Sequence, residues 1–302
     1  MQSQKDLITR FAIPNRLTFE PGNGGLTKVT LISPASQAEV YLHGGHVTHF
    51  TPANKKPLLF TSAQSLYQAD KPIRGGVPLI FPWFGPRQAD PIGNSPMHGF
   101  ARLSEWTVEQ TRSDAQSTTL ILRLEASQST RALWPGEFVL RYQITITDKL
   151  ALEFSVQNVG SEPFAFEEAL HTYLEVADAR QISIDGLAGA TFIDKVDQVA
   201  RKVQNGPIQI TGETDRVYLN TQSTCTITDP VNNRRMTVSK ENSDATVVWN
   251  PWIAKAKAMA DFGDEEWPQM VCIETCNVNI HEVKLDPGAT HTMKAVIAEL
   301  SI

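Results

Sequence analysis

The chain is poor in sulfur, poor in helical periodicity and free of long apolar runs. Its 302 residues include only three cysteines, Cys225, Cys272 and Cys276. An odd count without framework spacing excludes a disulfide scaffold. Cys272 and Cys276, four positions apart on an extended chain, are too distant to pair with each other. Reduced thiols suit a cytoplasmic protein, which is the expected location. No segment approaches the roughly 20 apolar residues of a membrane span. The opening Met-Gln-Ser-Gln-Lys-Asp lacks the apolar core of a signal peptide. A formal net charge of −6 argues against nucleic acid as a partner. It leaves room for a small anion held in a local basic pocket. No Gly-x-Ser-x-Gly elbow is present, so a hydrolase nucleophile of that kind is excluded. No linker, composition shift or internal repeat marks a domain boundary, and the length allows one large domain or two smaller ones.

Strands fill this frame. Alternating or β-branched runs occur at 26–32, 38–42, 108–111, 118–125, 138–147, 151–158, 191–193, 223–229, 235–240, 245–250, 271–273 and 290–300. Asp148-Lys149 and Asn232-Asn233 read as hairpin turns. Short helices are expected only at 62–70 and 254–261. The pattern predicts an all-β chain of two large antiparallel sheets packed face to face.

Four stretches carry candidate chemistry. In Gln269–Val278 a single carboxylate, Glu274, sits in an apolar strand, sharing one face with Cys272 and Cys276. Burial there would raise its pKa, which suits a general base; a structural carboxylate would be satisfied by a core partner instead. His171 is a second isolated polar group among apolar neighbours, and could be a hydrogen-bonded core histidine or a catalyst. Residues 71–106 are dense in proline, glycine and aromatics, which bars helix and central strand. Arg74, His98 and Arg102 lie there with Trp83 and Phe84. Planar guanidinium forks suit an anion, and an aromatic ring suits a sugar face; alternatively the arginines satisfy carbonyls and the aromatics fill a core. Asp215 reads as a turn residue or a carboxylate at a cleft mouth. Lys257 is an additional cation in a later aromatic and charged stretch. The three histidines of His43-Gly-Gly-His-Val-Thr-His are spaced by three, so a strand sends His46 away from His43 and His49. That is poor geometry for one metal ion, and the Gly-Gly suggests a bulge or close backbone approach.

Taken in order, Pro72-Ile-Arg-Gly-Gly-Val-Pro, Phe-Pro-Trp-Phe-Gly, His98-Gly-Phe-Ala-Arg, His171-Thr-Tyr, Thr214-Asp-Arg-Val-Tyr, Trp249-Asn-Pro-Trp, Asp261-Phe-Gly-Asp-Glu-Glu and Glu274-Thr resemble the hexose-6-phosphate mutarotases, relatives of galactose mutarotase. The resemblance runs over almost the whole chain. It implies a single-domain galactose mutarotase-like β-supersandwich over residues 1–302 that needs no metal and no organic cofactor. It also implies interconversion of the anomers of a hexose 6-phosphate, glucose 6-phosphate foremost. Glu274 would then be the general base and His171 the general acid. Arg74, His98, Asp215 and Arg102 would contact substrate, Arg102 through the phosphate, with Trp83 and Lys257 as further candidates. The expected partner is a small sugar phosphate and the expected state a monomer. A non-catalytic sugar-phosphate sensor on the same fold is the competing reading. A glycosidase with two carboxylates is a third, with Asp215 the best second carboxylate.

Overall fold

The computed structural model describes residues 2–88, 90, 93 and 95–300. Two eight-stranded antiparallel sheets dominate it, with a four-stranded and a two-stranded sheet beside them. The four-stranded sheet is an N-terminal meander, Leu17–Pro21, Thr27–Ser33, Ser36–Tyr41 and His46–Pro52. One large sheet contains the strongly alternating strands Thr118–Glu125, Phe138–Ile146, Leu150–Asn158 and Thr290–Leu300. Burial follows the pleat there: every second residue of Leu150–Asn158, from Leu150 to Asn158, is buried and the rest are half-buried. Asp148-Lys149 joins Phe138–Ile146 to Leu150–Asn158, and Asn232-Asn233 lies in the turn before Arg234–Glu241.

The other large sheet runs Ala200–Val203, Thr191–Asp194, Thr214–Leu219, Ala245–Asn250, Met270–Asn277, Glu168–Leu170 and Leu79–Ile80. All eight residues of Met270–Asn277 are buried. Its two faces serve different ends. Val271 and Ile273 join the large apolar core, whereas Cys272 and Cys276 belong to a smaller cluster with Phe60, Trp249, Phe262 and Trp267. Glu274 shares the face of the smaller cluster.

Helix is scarce, as expected, but its placement differs from the sequence reading. The described residues form three α-helices, α1 (Gln4–Phe11), α2 (Gln128–Leu133) and α3 (Trp252–Ala258). Helix α1 is capped by Ser3, whose side chain accepts from the Asp6 N–H, and buries only Leu7 and Phe11. A Ser127–Thr130 capping box starts α2. Helix α3 overlaps the predicted 254–261 and begins two residues earlier. The predicted helix at 62–70 is not formed. Turns replace it, because Ser62 Oγ accepts from the Gln64 N–H and Ser65 Oγ accepts from the Arg74 N–H at 2.8 Å. These hydroxyls serve local backbone instead of a helical ladder. None of the described helices is long and apolar enough to cross a membrane.

Candidate active site

Strand register assembles the site. Glu168–Leu170 and Tyr173–Glu175 are two short strands on the same side of Met270–Asn277. Their partners, Leu170 with Thr275 and Tyr173 with Cys272, lie on one continuous register. That register sets His171 opposite Glu274. The chain bends at the break, where the His171 N–H donates to Pro78 O and the Thr172 N–H turns back to Leu170 O. On the other side of the strand, Val247 faces Glu274 and Trp249 faces Cys272, and Asp215 in turn pairs with Trp249. Alternation therefore puts Asp215, Trp249, Tyr173, His171 and Glu274 on one sheet face.

His171 Nε2 lies 3.2 Å from Glu274 Oε1. Glu274 is 1% exposed and His171 8%. His171 Nδ1 and Glu274 Oε2 are buried without partners among the described residues. Tyr173 stacks on the imidazole with centroids 4.9 Å apart and 14° between planes, while Trp249 and His98 meet it edge-on. Burial, and then Asp215, raise the Glu274 carboxyl well above its usual range, with Lys195 and Arg102 pulling the other way. Burial, followed by Arg102 and Arg74, lowers the His171 imidazole well below its usual value. Both shifts disfavour charge.

A cavity of ≈ 420 Å³ opens above this pair. Of the residues singled out from sequence, Arg74, His98, Arg102, His171, Asp215 and Glu274 all line it. Two do not. Trp83 is buried, and its indole N–H donates to Pro96 O, so it packs on Phe100 as core. Its neighbour Phe84 lines the cavity instead. Lys257 is exposed on α3 away from the cavity, whose wall is reached by Lys255. Asp215 is no turn residue; it stands in the strand Thr214–Leu219, and burial raises its pKa.

His98 has a left-handed backbone, φ 63°. Its Nδ1 accepts the Gly85 N–H at 3.1 Å, which places the ring proton of the neutral form on Nε2. Burial and then Arg102 keep it neutral, so it serves as a hydrogen-bond donor. The four cations at the cavity differ in their compensation. Arg74 pairs with Asp261 at 3.0 Å, Lys255 with Glu213 at 3.2 Å, and Lys195 stands 4.0 Å from Asp215. Arg102 has no carboxylate within ion-pair distance among the described residues. Its Nη2 donates to Met97 O at 2.8 Å and its buried Nε has no partner among the described residues. Burial and the charge of Arg74 lower its pKa to about 10, so it stays cationic at neutral pH. Gly44 makes room for it: at φ +75°, a Cβ there would sit 2.7 Å from Arg102 O. This is the close backbone approach suggested by Gly44-Gly45. The neighbouring histidines do not converge: His43 meets Lys71 O, His46 meets Gly75 O and His49 meets Thr51 Oγ1.

Lys195 and Lys255 were not singled out by sequence. Lys195 follows the strand Thr191–Asp194 and lies 4.7 Å over the Phe84 ring. Neither lysine sits in a motif; only the register that pairs Asp194 with Arg216 brings Lys195 beside Asp215.

Comparison with known proteins places the fold and the chemistry together. The aldose 1-epimerase family model matches residues 27–298. A Cenchrus ciliaris protein named "Putative glucose-6-phosphate 1-epimerase" is 34% identical over 275 residues, covering 87% of this chain and 82% of its own. An Escherichia coli K12 protein of the same name is 34% identical over 251 residues, covering 83% of each. The crystal structure of a "putative mutarotase" from Salmonella typhimurium superposes with a TM-score of 0.89 at 28% identity, covering 97% of this chain and 96% of that one. The chain belongs to the aldose 1-epimerase family, enzymes that interconvert sugar anomers.

Proposed function

We propose that this chain, as a single-domain enzyme, interconverts the α and β anomers of a hexose 6-phosphate, glucose 6-phosphate foremost. The observation that carries the reading is the buried Glu274–His171 pair at 3.2 Å, at the base of a cavity holding an uncompensated Arg102. Ring opening requires one proton to leave the C1 hydroxyl and one to reach the ring oxygen. Glu274 takes the first as the C1–O5 bond breaks, and His171 supplies the second. The open aldehyde turns about its C1–C2 bond. Closure on the other face runs the transfers backwards, so the pair ends with the protons it began with. Such a pair works with one mobile proton, and the upward shift of Glu274 with the downward shift of His171 narrows the ordinary gap between carboxyl and imidazole. His98 and Arg74 supply neutral and cationic donors to the sugar hydroxyls and the ring oxygen.

The phosphate is assigned from charge. A buried guanidinium without a counter-ion is costly, and a dianion would relieve that cost. Arg102 is such a group; Arg74, Lys195 and Lys255 already face carboxylates. The names of the 34%-identical relatives favour the same substrate. Asp215 at the cavity is the second carboxylate a glycosidase would need, but the group facing Glu274, with Nε2 3.2 Å from Oε1, is His171.

NMR exchange spectroscopy on the anomers of glucose 6-phosphate, with free glucose alongside, tests the reading. Accelerated anomer exchange without hydrolysis is expected. Absence of exchange on both substrates would refute it. In Arg102→Leu, use of the phosphate sugar should fall by about one to two powers of ten, from charge-assisted bonds of roughly 1.5–3 kcal/mol. Free glucose should be little affected; equal loss on both would remove Arg102 from the phosphate.

A further inference from the structure

We propose that Asp261 is a positioning residue for the reaction, acting through Arg74. It fixes the plane of the guanidinium and cancels its charge, so that Arg74 serves the sugar ring as an oriented donor and leaves the phosphate to Arg102. The inference rests on the sugar-phosphate reading above.

The geometry is direct. Arg74 Nε and Nη2 both donate to Asp261 Oδ2, at 3.1 and 3.0 Å. Arg74 Nη1 donates to Tyr173 Oη at 3.2 Å. A guanidinium has five N–H groups in a rigid plane. Asp261 takes one from Nε and one from Nη2, and Tyr173 takes one from Nη1. One N–H on each of Nη1 and Nη2 is left for a ligand in the cavity that Arg74 lines. Tyr173 also stacks on His171, so the same phenol ring seats the guanidinium and the imidazole. Burial opposes the Arg74 charge, and Tyr173 with Asp261 outweighs it, holding the group firmly protonated.

The backbone shows that the pair is built in. Arg74 and Asp261 are 187 positions apart, yet one turn ties their segments together. The Ser62 N–H donates to Arg74 O and the Arg74 N–H donates to Ser65 Oγ. Across that turn, Ser62 Oγ donates to Glu266 Oε2 at 2.6 Å and the Ala63 N–H to Glu266 Oε1 at 2.9 Å. Glu266 also takes the Gly263 N–H at 2.9 Å, closing the loop that carries Asp261. A bidentate surface pair would wander; this one is held from both sides.

Cancelled charge sets the direction of the test. In Asp261→Ala, kcat on glucose 6-phosphate should fall by up to ~10²-fold, the scale of a misplaced reacting group. The inhibition constant for inorganic phosphate should tighten, because the cavity gains one net positive charge. Asp261→Asn keeps an acceptor, so it should lose less turnover while phosphate still tightens. In an Arg74→Lys background, removing Asp261 should cost little more, since the lysine cannot use the fork. Unchanged kcat in both Asp261 variants, or phosphate inhibition weakening in step with kcat, would overturn the proposal. So would full additivity with Arg74→Lys. Parent enzyme without anomer exchange would instead defeat the functional reading. Should Asp261→Ala fail to fold, the Asn variant and its phosphate inhibition decide the point.

Discussion

At the scale of single residues, Glu274 is costly to the fold and central to the chemistry. Replacing it with Gln should reduce anomer exchange by at least ~10²–10⁴-fold, the range of general acid–base catalysis. The same change should stabilise the protein. Folding raises the Glu274 pKa above its ordinary 4.5, so the folded state favours the protonated form. Its stabilising effect is complete below about 4.5 and is lost as pH rises toward the raised value. Glu274→Gln has no such loss. Its advantage in melting temperature should therefore be small in acid, widen above pH 4.5 and then level off. An advantage that does not vary with pH would show that the carboxyl carries no ionisation penalty. His171 should behave differently. His171→Asn should lose comparable activity and also remove or move one limb of the pH–rate profile. If both limbs stayed in place while the rate fell, His171 would be orienting substrate and not transferring protons.

At the scale of elements, the segment around α3 is held by one amide. Asn250 Nδ2 donates to Trp267 O and Met270 O, both at 2.8 Å, and its Oδ1 accepts the Trp252 N–H at 2.9 Å. Trp252 has φ 55°, a strained backbone for a bulky residue, and packs on Trp267 at 4.2 Å. Asn250→Ala strands buried groups that cost about 1–3 kcal/mol each. Its urea midpoint should drop by at least the equivalent of ~2 kcal/mol, with the slope unchanged. A midpoint within error of the parent would mean that water satisfies these carbonyls. Sequence made the strands legible because alternation is strong where one face is buried, as in Leu150–Asn158. Helix α1 escaped notice because its eight residues make barely two turns and bury only Leu7 and Phe11, too short a window for helical spacing to stand out. Lys255 and Lys257 differ by two positions, roughly 200° around a helix of 3.6 residues per turn. Without knowing that α3 starts at Trp252, nothing says which lysine faces inward. Trp83 and Phe84 pose the same problem on an extended chain, where neighbours point to opposite sides.

At the scale of the whole molecule, a chain of net charge −6 gathers Arg74, Arg102, Lys195 and Lys255 around one cavity. Three of them face carboxylates, so Arg102 carries the residual positive charge that draws in an anion, and salt screens it over about 8–10 Å. KM for the phosphate sugar should therefore rise with ionic strength, while KM for free glucose should stay level. Parallel changes for both sugars would place the charge effect elsewhere. Most of the cavity was within reach of sequence, because Arg74, His98, Arg102, His171 and Glu274 stand in recognisable motifs. Their mutual arrangement was not, since it depends on pairings between strands a hundred residues apart.

One consequence concerns what an activity assay counts. His171 meets Glu274 only because two strands keep a single register on Met270–Asn277. A slip of one position turns every side chain to the opposite face. It would bury the carboxylate in the apolar interior and carry Ile273 or Thr275 to the cavity, which dismantles the site. A chain slipped by one position is then silent. Specific activity in a refolded or stressed preparation becomes a census of correctly paired chains, reporting errors of pairing that overall secondary-structure content would overlook.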